Sequence, residues 1–195
     1  MRAEDPAQAI QDLLGSHEIS RPVVKVCGIK DSQAALDACK AGASLIGLIF
    51  ASKSKRRIEV NAAREIVETV RSFGERRDQI HVRAGSGSEL ERFRESALAL
   101  RVASRRTPLV VGVFQNQDPG EVRSIVDAAG LDIVQFHGAE TDIEVDAVGV
   151  PAIRVLHMNP MASSDVTGRG QAIVEAARNI KDRCTIAILL DTKVM

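Results

Sequence analysis

The sequence has no Trp and no Tyr, and its five Phe bring aromatic content to only 3% of 195 residues. A core this poor in rings must be built from Val, Ile, Leu and Ala. Cysteine is also scarce. Cys27, Cys39 and Cys184 lie far apart, which excludes a disulfide framework and a spaced Cys/His metal site and leaves the reduced thiols of a cytoplasmic protein as the expectation. Net charge is absent too, since 26 Lys and Arg balance 26 Asp and Glu. A neutral chain has no broad electrostatic grip on nucleic acid or an anionic membrane. No apolar run approaches the roughly 20 residues that span a bilayer. The opening MRAEDPAQAIQDLLGSHEIS carries acids early and has no apolar h-region, so neither a secretory nor a mitochondrial leader is expected. There is no GxGxxG or Walker glycine loop, and nucleotide cofactors, like metals, are not expected.

What is present reads as a soluble globular chain, 45% hydrophobic and 27% charged, of a length that suits one domain. Residues 1–21 form a polar leader. From Pro22 onward, short β-branched runs alternate with helical stretches: VVKV at 23–26, SLIGLIF at 44–50, LVVGVF at 109–114, DIVQF at 132–136, PAIRVL at 151–156 and TIAILL at 185–190. Each run is almost continuously apolar, as strands buried on both faces are. Apolar spacings of three and four predict helices over 31–41, 61–73, 118–129 and 169–181, with a shorter one around 140–147. Asp31, Asn61 and Asp118 stand at expected N-caps, and Gly42 and Gly130 where helices stop. Strand and helix in alternation, with short loops, predict parallel strands joined by crossovers, an α/β class. The rhythm breaks at about 74–108, a surface insertion whose residues 75–108 hold eight Arg against five Asp and Glu. Its end places Leu90, Phe93, Ala97 and Leu100 on one side of a helix. The simple reading is a solvated helix on a loop, and the alternative is a docking surface.

In a parallel βα protein, chemistry gathers where the carboxyl ends of strands and their loops converge. VVKV is followed by Cys27-Gly28, SLIGLIF by a basic loop ending Lys55-Arg56-Arg57, LVVGVF by Gln115-Asn116, DIVQF by His137-Gly138, and TIAILL by Asp191. Singly, each has a bland explanation: Cys27 as a small buried hydrophobe, His137 bonded to a loop carbonyl, Asp191 capping a turn, the basic loop merely solvated. Together they bring a thiol, a guanidinium, an imidazole and a carboxylate to one end of one sheet. Cys39 and Cys184 read as packing residues, and His17, His81 and His157 as surface or structural ones.

KVCGIKDSQAALDACKAGASLIGLIFASKSKRRI resembles the opening of the phosphoribosylanthranilate isomerase family of tryptophan biosynthesis, in which K-[IV]-C-G-I is followed by A-G-A-x-x-[IV]-G and a K-S-x-R loop. VVGVFQNQDPGEVRSIVDAAGLDIVQFHGAE and ILLDTK agree with it in order and spacing, so the resemblance covers about 22–73 and 109–195. GVFQNQ and the large insertion are similar to fungal members. The resemblance implies a (βα)8 TIM barrel without cofactors, acting on a small phosphorylated substrate: N-(5-phosphoribosyl)anthranilate would rearrange to 1-(o-carboxyphenylamino)-1-deoxyribulose 5-phosphate. It implies Cys27 as general base and Asp191 as general acid, with Arg56 on the anthranilate carboxylate and His137 lining the pocket. Arg57 remains the adjacent alternative to Arg56. A thiol acts as a base only as thiolate, so positive charge is expected near Cys27. Asp191 would need burial or a neighbour to hold its proton.

Only about six βα units are visible, an incomplete barrel. At about 26 residues per unit, eight units with leader and insertion need roughly 260 residues. The chain ends at DTKVM, where the family continues with a glycine-rich phosphate loop and two more strands. Two readings follow. One is an isomerase whose catalysis belongs to the whole barrel. The other is an incompetent barrel fragment, a non-enzymatic remnant or a subunit completed by a partner. A different phosphosugar barrel enzyme is a third reading, against which the residues at 27 and 191 count.

Overall fold

A computed structural model describes residues 22–74, 89–105, 107–158 and 174–192; the leader, residues 75–88 of the basic insertion and the start of the helix expected over 169–181 lie outside them. Six strands, β1 (Lys25–Cys27), β2 (Leu45–Ile49), β3 (Leu109–Phe114), β4 (Ile133–Phe136), β5 (Ala152–Met158) and β6 (Thr185–Thr192), form one sheet. Every neighbouring pair is parallel and the spatial order equals the chain order. A doubly wound sheet reverses its order at a switch point, whereas steady progression is the winding of a barrel. The fold is therefore TIM-barrel-like, with six strands described.

The helices are α1 (Ser32–Lys40), α2 (Val60–Ser72), α3 (Glu89–Ala103), α4 (Pro119–Ala129) and α5 (Asp142–Val148); residues 174–178 add one helical turn. Local chemistry explains most of their ends. Asp31 accepts a hydrogen bond from the Ala34 N–H at 2.8 Å. Asp118 accepts from Gly120 and Glu121 ahead of Pro119, whose fixed φ suits a first turn. Gly130 ends α4 at φ 75°, a left-handed conformation that costs glycine nothing. The short α5 carries a full capping box, Thr141 with Glu144, and its hydrogen bonds to the Thr141 backbone and hydroxyl hold the Glu144 carboxyl below its usual range. Asn61 is not the expected cap. The helix starts one residue earlier, and Asn61 accepts instead from the Arg64 guanidinium. Its entry is set from a distance: Ile58 is buried and its N–H donates to the Ile49 carbonyl.

Strand alternation divides the sheet into two faces. Ile46, Leu48, Val110, Val134 and Ala152 point outward and pack with α1, α2, α4 and α5 into the larger core, where Phe50 and Phe114 stack at 5.2 Å. Leu45, Leu109, Val111, Ile133, Ile153 and Ile186 form a second cluster on the inner face. The helix of the insertion joins this cluster: Leu100 and Ala103 of α3 are buried in it, and α3 packs against β6. The segment read as a solvated surface helix thus buries its last turn over the amino-terminal ends of the strands. It lies at the opposite end from the loops that carry the candidate chemistry.

Candidate active site

The described carboxyl ends hold two groups of side chains. The first is built on β1 and β2. Cys27 closes β1 and is exposed. The next residue, Gly28, turns at φ 87°, and a Cβ there would sit 2.5 Å from Arg56 Nη1, so glycine is required by both conformation and space. That closeness lets Arg56 Nη1 donate to the Cys27 carbonyl at 3.1 Å. Arg57 turns elsewhere and faces Glu59 at 3.9 Å, both well exposed. Of the two adjacent arginines, Arg56 is the one drawn to the end of β1.

The second group is built on β4, β5 and β6. His137 follows β4 and its N–H donates to the Phe114 carbonyl. Its imidazole Nε2 lies 3.2 Å from Asp191 Oδ2. His157, in register with Asp191 on the neighbouring strand, places its Nε2 3.2 Å from the His137 carbonyl, and the two imidazole rings meet edge to face at 5.1 Å. The Asp191 side chain is 42% exposed, and the neighbour within reach is His137. Arg56 thus stands with Cys27, and His137 with Asp191, on opposite edges of the six-stranded sheet.

The loops under this second group are tied together by one buried carboxylate. Glu140 accepts from the Asn116 N–H at 2.7 Å and from the Gly138 N–H at 2.9 Å, while Asn116, at φ 53°, accepts from Ala139. Arg154 Nη2 donates to the Glu140 carbonyl at 2.6 Å, and its Nη1 reaches Asp142 and the fully buried Asp182. Asp182 is satisfied in turn by the Cys184 and Thr185 N–H groups and the Thr185 hydroxyl. Burial and the carboxylates of Asp146 and Asp182 push the Cys184 thiol up to about 11, and burial pushes the Cys39 thiol up as well. Both therefore remain protonated packing residues at neutral pH. Among the described residues no cluster of three or more His, Cys, Asp and Glu is arranged to hold a metal ion, and no helix is long and apolar enough to cross a membrane.

The sequence profile described as "N-(5'phosphoribosyl)anthranilate (PRA) isomerase" matches residues 72–178. The chain belongs to the phosphoribosylanthranilate isomerase family. Among curated relatives, the tryptophan biosynthesis protein TRP1 of Phytophthora nicotianae is 34% identical over 206 residues, covering 100% of this chain and 38% of that protein. The N-(5'-phosphoribosyl)anthranilate isomerase of Pseudomonas aeruginosa is 33% identical over 171 residues, covering 88% of this chain and 60% of that enzyme. The chain thus spans only part of the length of these relatives. Among solved structures, the isomerase of Thermotoga maritima superposes with a TM-score of 0.59 at 23% identity, over 90% of this chain and 63% of that one. A family structure in complex with reduced 1-(o-carboxyphenylamino)-1-deoxyribulose 5-phosphate superposes at 0.56 and 22% identity, over 88% and 66%. At these identities the structural likeness speaks for the fold.

Three further residues stand beside those expected at the strand ends. His157 follows PAIRVL as His137 follows DIVQF, and the same strand-end rule applied to β5 finds it. Lys25, hidden inside an apolar run, shares a face with Cys27 by simple alternation. Glu140 has no sequence signal, because its partners are backbone N–H groups of two separate loops.

Proposed function

We propose that these six strands are the first six of a (βα)8 barrel that isomerises N-(5-phosphoribosyl)anthranilate to 1-(o-carboxyphenylamino)-1-deoxyribulose 5-phosphate. The observation that carries the reading is the seat of Arg56 on the Cys27 carbonyl, a planar guanidinium beside a thiol at a strand end. A fork of N–H donors suits the planar anthranilate carboxylate. Closing the sheet around a barrel axis turns β1 and β6 toward one mouth, so that a substrate held by Arg56 has Cys27 at one side and Asp191 at the other.

In this reading Asp191 gives its proton to the ring oxygen as the C1–O bond breaks, and the lone pair of the anthranilate nitrogen forms the C1=N bond. The Cys27 thiolate then takes the proton from C2, that electron pair becomes the C1=C2 bond of an enolamine, and the C1=N pair returns to nitrogen. Return of a proton to C1 and loss of the enol proton leave the ketose. His137 lines the pocket beside Asp191 and orients its carboxyl through the 3.2 Å contact. A cytoplasmic location goes with this role and with three unpaired cysteines.

The test is turnover, read as loss of the substrate's anthranilate fluorescence, in a form carrying the whole barrel. Wild-type rates in both Cys27→Ala and Asp191→Asn would remove the assignment. One observation favours the second reading, a non-enzymatic piece that another segment completes: among the described residues β1 and β6 each pair with one strand only. Substrate turnover by the purified 195-residue chain as a monomer would rule that reading out.

A further inference from the structure

We propose that Lys25 is the counter-charge that holds Cys27 as a thiolate, and that Gly47 is the residue whose missing side chain leaves the space between ammonium and sulfur open. The inference rests on the reading of Cys27 as the base. Lys25 and Cys27 are two apart on β1 and share one face of the strand. In the parallel register Cys27 stands opposite Gly47, and Lys25 opposite Leu45. The lysine does not stay opposite Leu45. Its four-carbon stem carries Nζ along the strand to Gly47, where a Cβ would lie 2.9 Å from Lys25 Nζ and 2.7 Å from Cys27 Sγ. Ammonium and sulfur therefore lie no more than 5.6 Å apart.

The charge balance favours the pairing. Lys25 is half-buried, and among the described residues no carboxylate forms an ion pair with it. A cation partly removed from water and lacking an anion stabilises the nearest group that can become one. Among the described residues, the charged side chains placed beside Cys27 are Lys25 from its own strand and Arg56 from the loop after β2, whose contact is to the Cys27 carbonyl. β2 itself, LIGLI, contributes no titratable group. In the proposed reaction Arg56 is committed to the substrate carboxylate. Lys25 is then the positioning charge that remains with the sulfur, and Gly47 keeps the space open.

The test is the pH profile of iodoacetamide alkylation at Cys27 in the 195-residue chain, followed by mass spectrometry of the peptide carrying it. No substrate is needed, so the result is independent of the isomerase assignment. Lys25→Met is expected to move the midpoint up by about one pH unit. A more basic thiolate is intrinsically more nucleophilic, so the variant should react about threefold slower near pH 7 yet about threefold faster on the alkaline plateau. The two curves therefore cross, which simple loss of packing does not produce. Lys25→Arg should restore most of the wild-type midpoint. As a second measurement that needs no variant, about 1 M KCl should raise the wild-type midpoint by screening the pair. Coincident wild-type and Lys25→Met profiles, or a wild-type midpoint indifferent to salt, would overturn the proposal. An active Cys27→Ala enzyme would overturn the isomerase assignment and leave the alkylation result standing.

Discussion

The imidazole of His137 and the carboxylate of Asp191 meet at 3.2 Å, brought together from β4 and β6 across the strand between them. At that distance the imidazole N–H donates a hydrogen bond to the carboxylate, and the contact fixes which way the carboxyl points. In the whole-barrel form, Asp191→Asn is expected to lower kcat/KM by about 10²- to 10⁴-fold, the range of a lost acid–base group. His137→Ala should cost less, about 10- to 100-fold, as loss of one charge-assisted hydrogen bond does. Steady-state kinetics by fluorescence gives both values, and equal rates for wild type and Asp191→Asn would refute the role of the carboxyl.

Arg56 and Arg57 are separated by the same assay. Arg56→Lys keeps the charge and loses the fork, so KM is expected to rise about 10- to 100-fold. Arg57→Ala, which removes only an exposed 3.9 Å contact with Glu59, should stay within about twofold of wild type. The opposite order would transfer the carboxylate site to Arg57.

Glu140 is a test of loop order. Its carboxylate accepts two backbone N–H groups from different loops, and Glu140→Gln turns one acceptor into a donor that faces a donor. The expected cost is about 1.5–3 kcal/mol of stability, measured as a lower urea midpoint at unchanged slope. An unchanged midpoint would mean that the loops hold without the clamp.

Arg154 bridges Asp142, the buried Asp182 and the Glu140 carbonyl. Arg154→Leu leaves Asp182 as a buried carboxylate without its cation, and a loss of about 3–5 kcal/mol is expected. The double variant Arg154→Leu, Asp182→Asn should recover part of that loss, and a urea titration of the three proteins decides it.

Cys184 makes stability depend on alkaline pH. Its folded-state value is raised from 9.0 to about 11, so the native state holds a proton that the unfolded chain releases. The stabilisation is complete below pH 9 and declines as pH rises toward 11. Urea midpoints at pH 8 and pH 10.5 should therefore fall more in wild type than in Cys184→Ala. Parallel falls in the two proteins would contradict the assignment.

How much of this was legible in the sequence follows from the range of each interaction. The caps at Asp31 and Asp118 are contacts within three residues, and their sequence positions suffice. The strand runs were legible because parallel strands are buried on both faces. Asn61 misled because the helix entry there is set by Ile58 against Ile49, a contact between segments. The T-x-x-E box of α5 is likewise a contact within three residues. His157, read as surface or structural, lies inside β5, which continues past its apolar run to Met158. Of the candidate site, the four strand-end residues came from one topological rule. Their pairing into Arg56 with Cys27 and His137 with Asp191 came only from register and loop geometry.

The docking of α3 against β6 also has a consequence in time. Leu100 and Ala103 are made roughly 80 residues before Ile186, which completes their cluster, and contacts across such separations form late. During synthesis the cluster around Leu100 and Ala103 lacks its β6 side while β3, β4 and β5 are made. Of the described elements, β6 is the last to be made, and its arrival sets the helix over the floor of the sheet.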